Sequence, residues 1–151
     1  MPRLLVVHHT PSPALHTMLE AVRAGAEDPA LRDVEVVVRA ALAATASDVL
    51  AADGYVLGTP ANLGYMSGAL KHFFDTVYYP CLEDTPRRPY GLYVHANSDA
   101  TGALRSVETV VTGLQWRRVH EPVVVRGEPD RAALDACWDL GATVAATLLD
   151  A

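Results

Sequence analysis

The chain has little cysteine and no concentrated basic segment. Its two cysteines, Cys81 and Cys137, have no partner at the short spacings that zinc sites use, and they are too few for a disulfide framework. Its 12 lysine and arginine residues are scattered apart from the pairs at 87–88 and 117–118, and the net charge is −6. We therefore expect no structural metal and no nucleic-acid partner.

Long apolar segments are also missing. No stretch approaches the roughly 20 apolar residues that span a bilayer, and the start of the chain is typical of a buried strand rather than a secretory signal. Hydrophobic residues make up 50% of the chain and charged residues 20%, which predicts one globular domain over residues 1–151. We expect a cytoplasmic protein without membrane insertion.

Five short apolar runs alternate with five helical patterns. The first, second and fifth runs are nearly continuous in Val and Leu, as in strands that are buried on both faces of a parallel sheet. The predicted strands are residues 4–8, 34–38, 55–57, 90–94 and 123–125, and the predicted helices are 14–26, 45–52, 68–79, 101–114 and 131–149. This alternation predicts an α/β fold with a five-stranded parallel sheet in the order 2-1-3-4-5.

Three loops should meet where the order of such a sheet reverses, at the carboxyl ends of its strands. Residues 9–13 combine two hydroxyls with a helix start, which suits a phosphate. Residues 58–68 hold three glycines and suit close contact with a flat ring, whereas residues 95–102 are short and polar and suit its polar edge. Taken singly, the first loop is also typical of an ordinary helix start and the third of a capped surface turn.

One contiguous region resembles a known family. Residues 52–60, continued by Asn62, the segment 64–68 and residues 70–75, are similar to the flavin loop and following helix of flavodoxin-like FMN proteins, above all the NAD(P)H-dependent FMN reductases and multimeric quinone reductases. The resemblance implies a flavodoxin-like three-layer sandwich. It also implies that the first loop grips the phosphate of FMN and that the other two wrap its isoalloxazine ring.

The resemblance and the loop chemistry together give a set of expected FMN contacts. These are Thr10, Ser12, Pro13, Ala14, Leu15, Pro60, Ala61, Asn62, Leu63, Gly64, Tyr65, His95, Asn97, Asp99 and Gly102. NADH or NADPH would be the electron donor, and a quinone, free flavin or similar small molecule the acceptor. We name no catalytic acid, base or nucleophile because the cofactor carries the hydride chemistry. A homodimer is expected from the oligomeric relatives and from the many small residues of the last helix.

The phosphate loop departs from the family pattern. Relatives usually have hydroxyl-Gly-Asn-hydroxyl where this chain has Ser12-Pro13-Ala14-Leu15. Two alternatives to a reductase therefore stay open: a flavodoxin-type electron carrier, and a flavin-free binding module with a degraded phosphate loop. A response regulator is excluded, since residues 8–9 and 58–59 hold none of the carboxylates that it needs. Four histidines at the same end lack the supporting carboxylate or thiol of a metal site.

Overall fold

The computed structural model describes residues 1–150, which form seven strands and five helices. The strands are β1 (Arg3–His8), β2 (Glu35–Ala40), β3 (Gly54–Asn62), β4 (Tyr65–Met66), β5 (Pro89–Ala96), β6 (Arg117–Arg118) and β7 (Val123–Arg126). The helices are α1 (Pro13–Ala26), α2 (Ala46–Ala51), α3 (Gly68–Cys81), α4 (Thr101–Gly113) and α5 (Arg131–Leu149), with a short 3-10 turn at Pro29–Leu31.

The five longer strands run parallel in the order β2-β1-β3-β5-β7. This is the predicted order 2-1-3-4-5, so the flavodoxin-like architecture is confirmed. Two two-residue strands add to the predicted five: β4 pairs antiparallel with the end of β3, and β6 pairs with the start of β5. The edge position of β7 also explains how Pro122, which has no N–H to donate, is tolerated beside it.

Two apolar layers cover the sheet because its strands alternate their side chains between faces. Leu4 and Val6 pack with α1 and α5, whereas Leu5 and Val7 pack with α2, α3 and α4. All four side chains are at most 1% exposed. Burial of each is worth roughly 1.5–3 kcal/mol, so the two layers hold the carboxyl ends of the strands in a rigid frame.

The small residues of α5 serve contact with α1 within one chain. A Cβ on Gly25 would overlap the Trp138 carbonyl, and a Cβ on Gly141 would overlap the Val22 carbonyl. The two helices therefore pack backbone to backbone, which accounts for Gly141 within one chain. By length and composition alone α5 is long and apolar enough to cross a membrane, contrary to the expectation from sequence. In this fold its apolar face lies against α1 and the sheet.

Two fully buried tyrosines differ in their hydrogen bonding. The Tyr55 hydroxyl donates to the Val49 carbonyl at 2.7 Å and accepts from Arg88 at 3.1 Å, and burial raises its pKa to about 12. Within residues 1–150 the Tyr93 hydroxyl has no partner.

We expect Tyr93→Phe to raise the free energy of unfolding by about 1 kcal/mol and Tyr55→Phe to lower it by about 1–3 kcal/mol. Urea unfolding of both variants checks this. A loss of stability at position 93 would indicate a buried water bound to that hydroxyl.

Candidate functional site

The three predicted loops do meet. A slot of about 190 Å³ at the carboxyl edge of the sheet is lined from all three by Pro11, Ser12, Leu15, Pro60, Ala61, Asn62, His95 and Asn97. Its volume is below the roughly 300–1,000 Å³ of enclosed ligand pockets, so a ligand there would keep one side open to solvent. The slot lies beside β1 and β3, where the sheet order reverses.

The first loop offers hydrogen-bond donors at the N-terminus of α1. The Ser12 side chain caps the helix by accepting from the Leu15 N–H at 3.3 Å. Within residues 1–150, the N–H groups of Thr10, Ser12 and Ala14 donate to no other group of the chain. Pro13 at the first helical position has no N–H. The segment before α1 and its first turn therefore carry three backbone donors without a partner and two hydroxyls near the positive end of the helix dipole.

His8 supports this loop from the end of β1. Its Nδ1 lies 2.7 Å from Thr10 Oγ1, and burial, followed by the nearby His9 and Arg23, lowers its pKa below the usual 6.5. His8 therefore takes up a proton near pH 6.5 in the unfolded chain but only at a lower pH in the folded chain. The free energy of unfolding should fall as the pH drops from 6.5 toward the folded pKa of His8. Chemical unfolding between these pH values should show this loss. It should disappear in His8→Gln and persist in the variant of an exposed histidine, His72→Gln.

The second loop, expected as one long compact loop over residues 58–68, is an ordered hairpin. β3 continues to Asn62 and turns back into β4. Pairing with β1 ends at Gly58, so at Thr59 and Pro60 the strand β3 pairs only with β5. Pro60 therefore sits in β3 without interrupting a second ladder.

The tip of this hairpin is held in an uncommon conformation. Leu63 has φ 51° and Gly64 has φ 73°, the left-handed pair of a tight two-residue turn. Leu63 is also fully exposed. The Gly64 carbonyl rests on Gly102 at the start of α4, where a Cβ would overlap it, and Met66 N–H donates to Ser106 Oγ at 3.1 Å. The second loop is thus clamped onto the helix that follows the third.

The third loop is braced from both sides. Asp99 Oδ1 accepts from the Thr101 hydroxyl at 2.7 Å and from its N–H at 3.0 Å, and these bonds lower the pKa of Asp99. His95 Nε2 lies 2.8 Å from the Gly127 carbonyl, and Arg126 Nε donates to the Ser98 carbonyl at 2.6 Å. Sequence analysis did not identify Gly127 as part of this arrangement. The loop after β7 therefore fixes the loop after β5.

The expected contact residues fall into two groups. Ser12, Leu15, Pro60, Ala61, Asn62, His95 and Asn97 line the slot, and Pro11, which was not predicted, lines it too. The others, which do not line it, are Thr10, Pro13, Ala14, Leu63, Gly64, Tyr65, Asp99 and Gly102. Gly64, Tyr65 and Gly102 border a neighbouring cavity of about 370 Å³ along α4. Asp99 serves its own turn instead of the slot, because a short carboxylate two residues before an N–H closes a local ring.

The cysteines and histidines form no further site. Cys81 lies at the end of α3, at the opposite end of the sheet, and burial raises the pKa of its thiol. Burial raises the pKa of the Cys137 thiol to about 11. Neither thiol is therefore prepared for nucleophilic chemistry at neutral pH. Among residues 1–150 there is no group of three or more His, Cys, Asp or Glu side chains that could hold a metal ion.

Comparison with known proteins agrees with this geometry. Residues 24–128 match the family model of NADPH-dependent FMN reductases. A flavodoxin of Aquifex aeolicus (strain VF5) is 39% identical over 77 residues, a segment that covers 51% of this chain but only 40% of that protein.

Solved structures share the fold over nearly the whole chain. A flavodoxin from the domain Archaea superposes with a TM-score of 0.82 at 18% identity, covering 97% of this chain and 99% of that one. A flavodoxin, WrbA-like protein from Agrobacterium tumefaciens superposes with a TM-score of 0.79 at 21% identity, covering 99% of each chain.

Fold and slot together define a flavodoxin-like α/β protein with a ligand site at its topological switch point. The chain belongs to the NADPH-dependent FMN reductase family, and this membership supports FMN as its cofactor. The residues present fit the cofactor unequally. Residues 60–62 of β3 together with His95 and Asn97 line the slot where the ring would lie, whereas the loop that would hold the phosphate lacks the N–H that Pro13 replaces.

Proposed function

We propose that the chain binds FMN in the slot and acts as an NAD(P)H-dependent reductase of a small acceptor such as a quinone or free flavin. The observation that carries the proposal is the meeting of three distant segments in one open slot, beside a loop whose backbone N–H groups at Thr10, Ser12 and Ala14 have no partner within residues 1–150. When bound, FMN supplies the hydride and electron-transfer chemistry. The protein supplies position and electrostatics.

The first loop would hold the phosphate through backbone N–H groups. Thr10, Ser12 and Ala14 present these donors, and the Ser12 hydroxyl proton stays free to donate because its oxygen is the acceptor in the helix cap. A charge-assisted hydrogen bond to phosphate contributes about 1.5–3 kcal/mol. The donor that Pro13 removes therefore predicts weaker binding of FMN than a loop with a full set of N–H groups would give.

The third loop would bind the polar edge of the ring. Within residues 1–150, the N–H groups of Asn97 and Ser98 donate to no other group. Arg126 fixes the Ser98 carbonyl, so these donors are held in place before a ligand arrives. Fixed donors stabilise negative charge at the ring edge without reorganising.

The charge around the slot favours a reductase over a carrier. The three loops contain a single carboxylate, Asp99, and its neighbours include His95 and Arg126. An anionic dinucleotide can approach such a surface, whereas carriers of the flavodoxin type are usually far more acidic around the flavin. The open side of the slot leaves room for the donor and then the acceptor.

A homodimer stays part of the proposal on new grounds. Leu63 and Tyr65 at the hairpin tip are exposed apolar side chains next to the slot, and a second copy covering them would shield the ring. Size-exclusion chromatography with light scattering, with and without FMN, tests this. A monomer in both conditions would remove the dimer and leave the reductase proposal intact.

The decisive experiment is spectroscopic. FMN titrated into the purified protein should lose fluorescence and shift its absorption, and rapid mixing with NADPH or NADH should then bleach the bound flavin at a rate that depends on the nucleotide concentration. Bound FMN that neither nucleotide reduces would indicate an electron carrier, the function suggested by the flavodoxin relative. Unchanged flavin fluorescence would reject FMN binding altogether.

A further inference from the structure

A second, larger cavity lies at the amino ends of the strands, a strand length away from the slot. Its volume is about 560 Å³, within the roughly 300–1,000 Å³ of small-molecule sites. Its walls include Asp53, Arg87, Arg88, Pro89, Arg117 and Leu148. These residues stand before β3, at the start of β5 and β6 and at the end of α5. The proposed FMN chemistry uses none of them.

The wall of this arginine cavity is positively charged in a chain whose net charge is −6. Three arginines face a single carboxylate, Asp53, which already accepts the Arg3 N–H at 2.8 Å. Arg87 and Arg117 are exposed, and within residues 1–150 their side chains make no ion pair and no hydrogen bond. Two unpaired guanidinium groups at one cavity are available to bind an anion.

A strained backbone fixes where these two arginines stand. Arg87 has φ 69° and Gln115 has φ 62°, both in the left-handed region that non-glycine residues seldom adopt. The Arg87 N–H donates to the Gln115 carbonyl at 2.7 Å, and the Arg117 N–H donates to the Arg88 carbonyl at 2.9 Å. Below them Trp116 Nε1 donates to the buried Thr85 Oγ1 at 2.9 Å. Such strain persists only where the surroundings enforce it, and it concentrates at functional sites.

Arg88 adds a fixed charge to the same wall. Its Nη1 donates to the carbonyls of Val49, Leu50 and Ala52 at 3.2, 3.2 and 2.7 Å, and to the Tyr55 hydroxyl at 3.1 Å. In the described part of the chain its Nε and Nη2 donate to no group. The bonds from Nη1 hold the guanidinium in place, and Nε and Nη2 stay free to donate to a ligand.

We propose that the arginine cavity binds a phosphorylated small molecule of the size of a mononucleotide. Arg87 and Arg117 would bind the phosphate, because guanidinium groups match phosphate oxygens in pairs. Pro89 and Leu148 form an apolar wall for the rest of the molecule. The volume is larger than a bare anion needs, and the second oxygen of Asp53 suits a hydroxyl group. A site for inorganic phosphate alone would use neither feature.

Nuclear magnetic resonance of the full chain tests the proposal with AMP as the probe, and riboflavin, which has the flavin ring but no phosphate, is present in excess to block the slot. We expect saturable amide shifts at Asp53, Arg88 and Arg117, none at Thr10 and Gly64, and a Kd of about 1 mM or lower. Adenosine and inorganic phosphate, titrated separately, should each bind at least about tenfold more weakly than AMP. Absence of saturable shifts overturns the proposal, and so does phosphate that binds as tightly as AMP. The shifts at the amino ends remain readable even if riboflavin fails to bind in the slot, so this proposal and the proposal of FMN binding fail separately.

Variants of the arginine cavity test whether AMP binds there. Arg87→Gln combined with Arg117→Gln should weaken AMP at least about tenfold, which corresponds to about 1.4 kcal/mol. Arg32→Gln is the matched control, since Arg32 is exposed and precedes β2 at the opposite edge of the same end of the sheet. Equal weakening in the control, or unchanged binding in the double variant, rejects the site. If the double variant unfolds, Arg117→Gln alone is tested, because it leaves Arg87 with its left-handed backbone unchanged. We expect AMP to bind this single variant about threefold more weakly.

Discussion

Gly102→Ala should weaken FMN binding at least about tenfold and lower the free energy of unfolding by about 1–3 kcal/mol. The cause is the contact between the start of α4 and the hairpin tip: the new methyl group would overlap the Gly64 carbonyl, which is backbone and cannot rotate away. The hairpin must then move outward, and Asn62 in the wall of the slot moves with it. Fluorescence titration of FMN and urea unfolding measure the two effects.

Gly68→Ala is the matched control. Gly68 is the first residue of α3, and Gly102 is the second residue of α4. Unlike at Gly102, nothing lies within 4 Å of a Cβ at Gly68. Helix propensity alone favours alanine over glycine by roughly 0.5–1 kcal/mol at either position. The control should therefore gain stability and keep its affinity for FMN, so the same substitution has opposite signs at the two sites. A gain of stability in Gly102→Ala would show that the hairpin does not depend on this contact.

The order of the strands was predictable because it depends on short-range patterns. Runs of Val and Leu such as Leu4–Val7 are buried on both faces, and that burial leaves a signature in adjacent residues. The position of the slot followed from the sheet order through a rule of geometry. Hence seven of the fifteen expected contact residues line the slot.

The details of the loops depend on contacts between distant residues, and these were not predictable. Pro60 and three glycines indicated a loop, but a hairpin forms: the pairing of β3 with β1 ends at Gly58, and α4 supplies Ser106 and Gly102 as supports. The bond from His95 to the Gly127 carbonyl likewise joins residues that no local pattern connects. Asp99 was expected to contact FMN, but its carboxylate accepts from the Thr101 N–H and hydroxyl instead, which are local bonds within its own turn.

In the first loop, one substitution should stabilise the fold and weaken FMN binding at the same time. Ala14 is the second residue of α1, with a free N–H at the positive end of the helix dipole. Ala14→Asp places a carboxylate where a helix favours one, which should raise the free energy of unfolding by about 0.3–1 kcal/mol. The same carboxylate would repel a phosphate about 4 Å away by roughly 4 kcal/mol per unit of charge at an effective dielectric constant of about 20.

We therefore expect Ala14→Asp to bind FMN at least about a hundredfold more weakly than the natural chain while unfolding at higher urea. Riboflavin, which has the same ring and no phosphate, should bind both proteins alike, because the change acts only on the phosphate. Ala132→Asp is the control: Ala132 is also a second helical residue, behind the capping Asp130, and it lies outside the slot. Its FMN affinity should stay unchanged. If Ala14→Asp bound FMN as well as the natural chain, the phosphate would not lie at the start of α1, and the orientation proposed for the cofactor would be wrong.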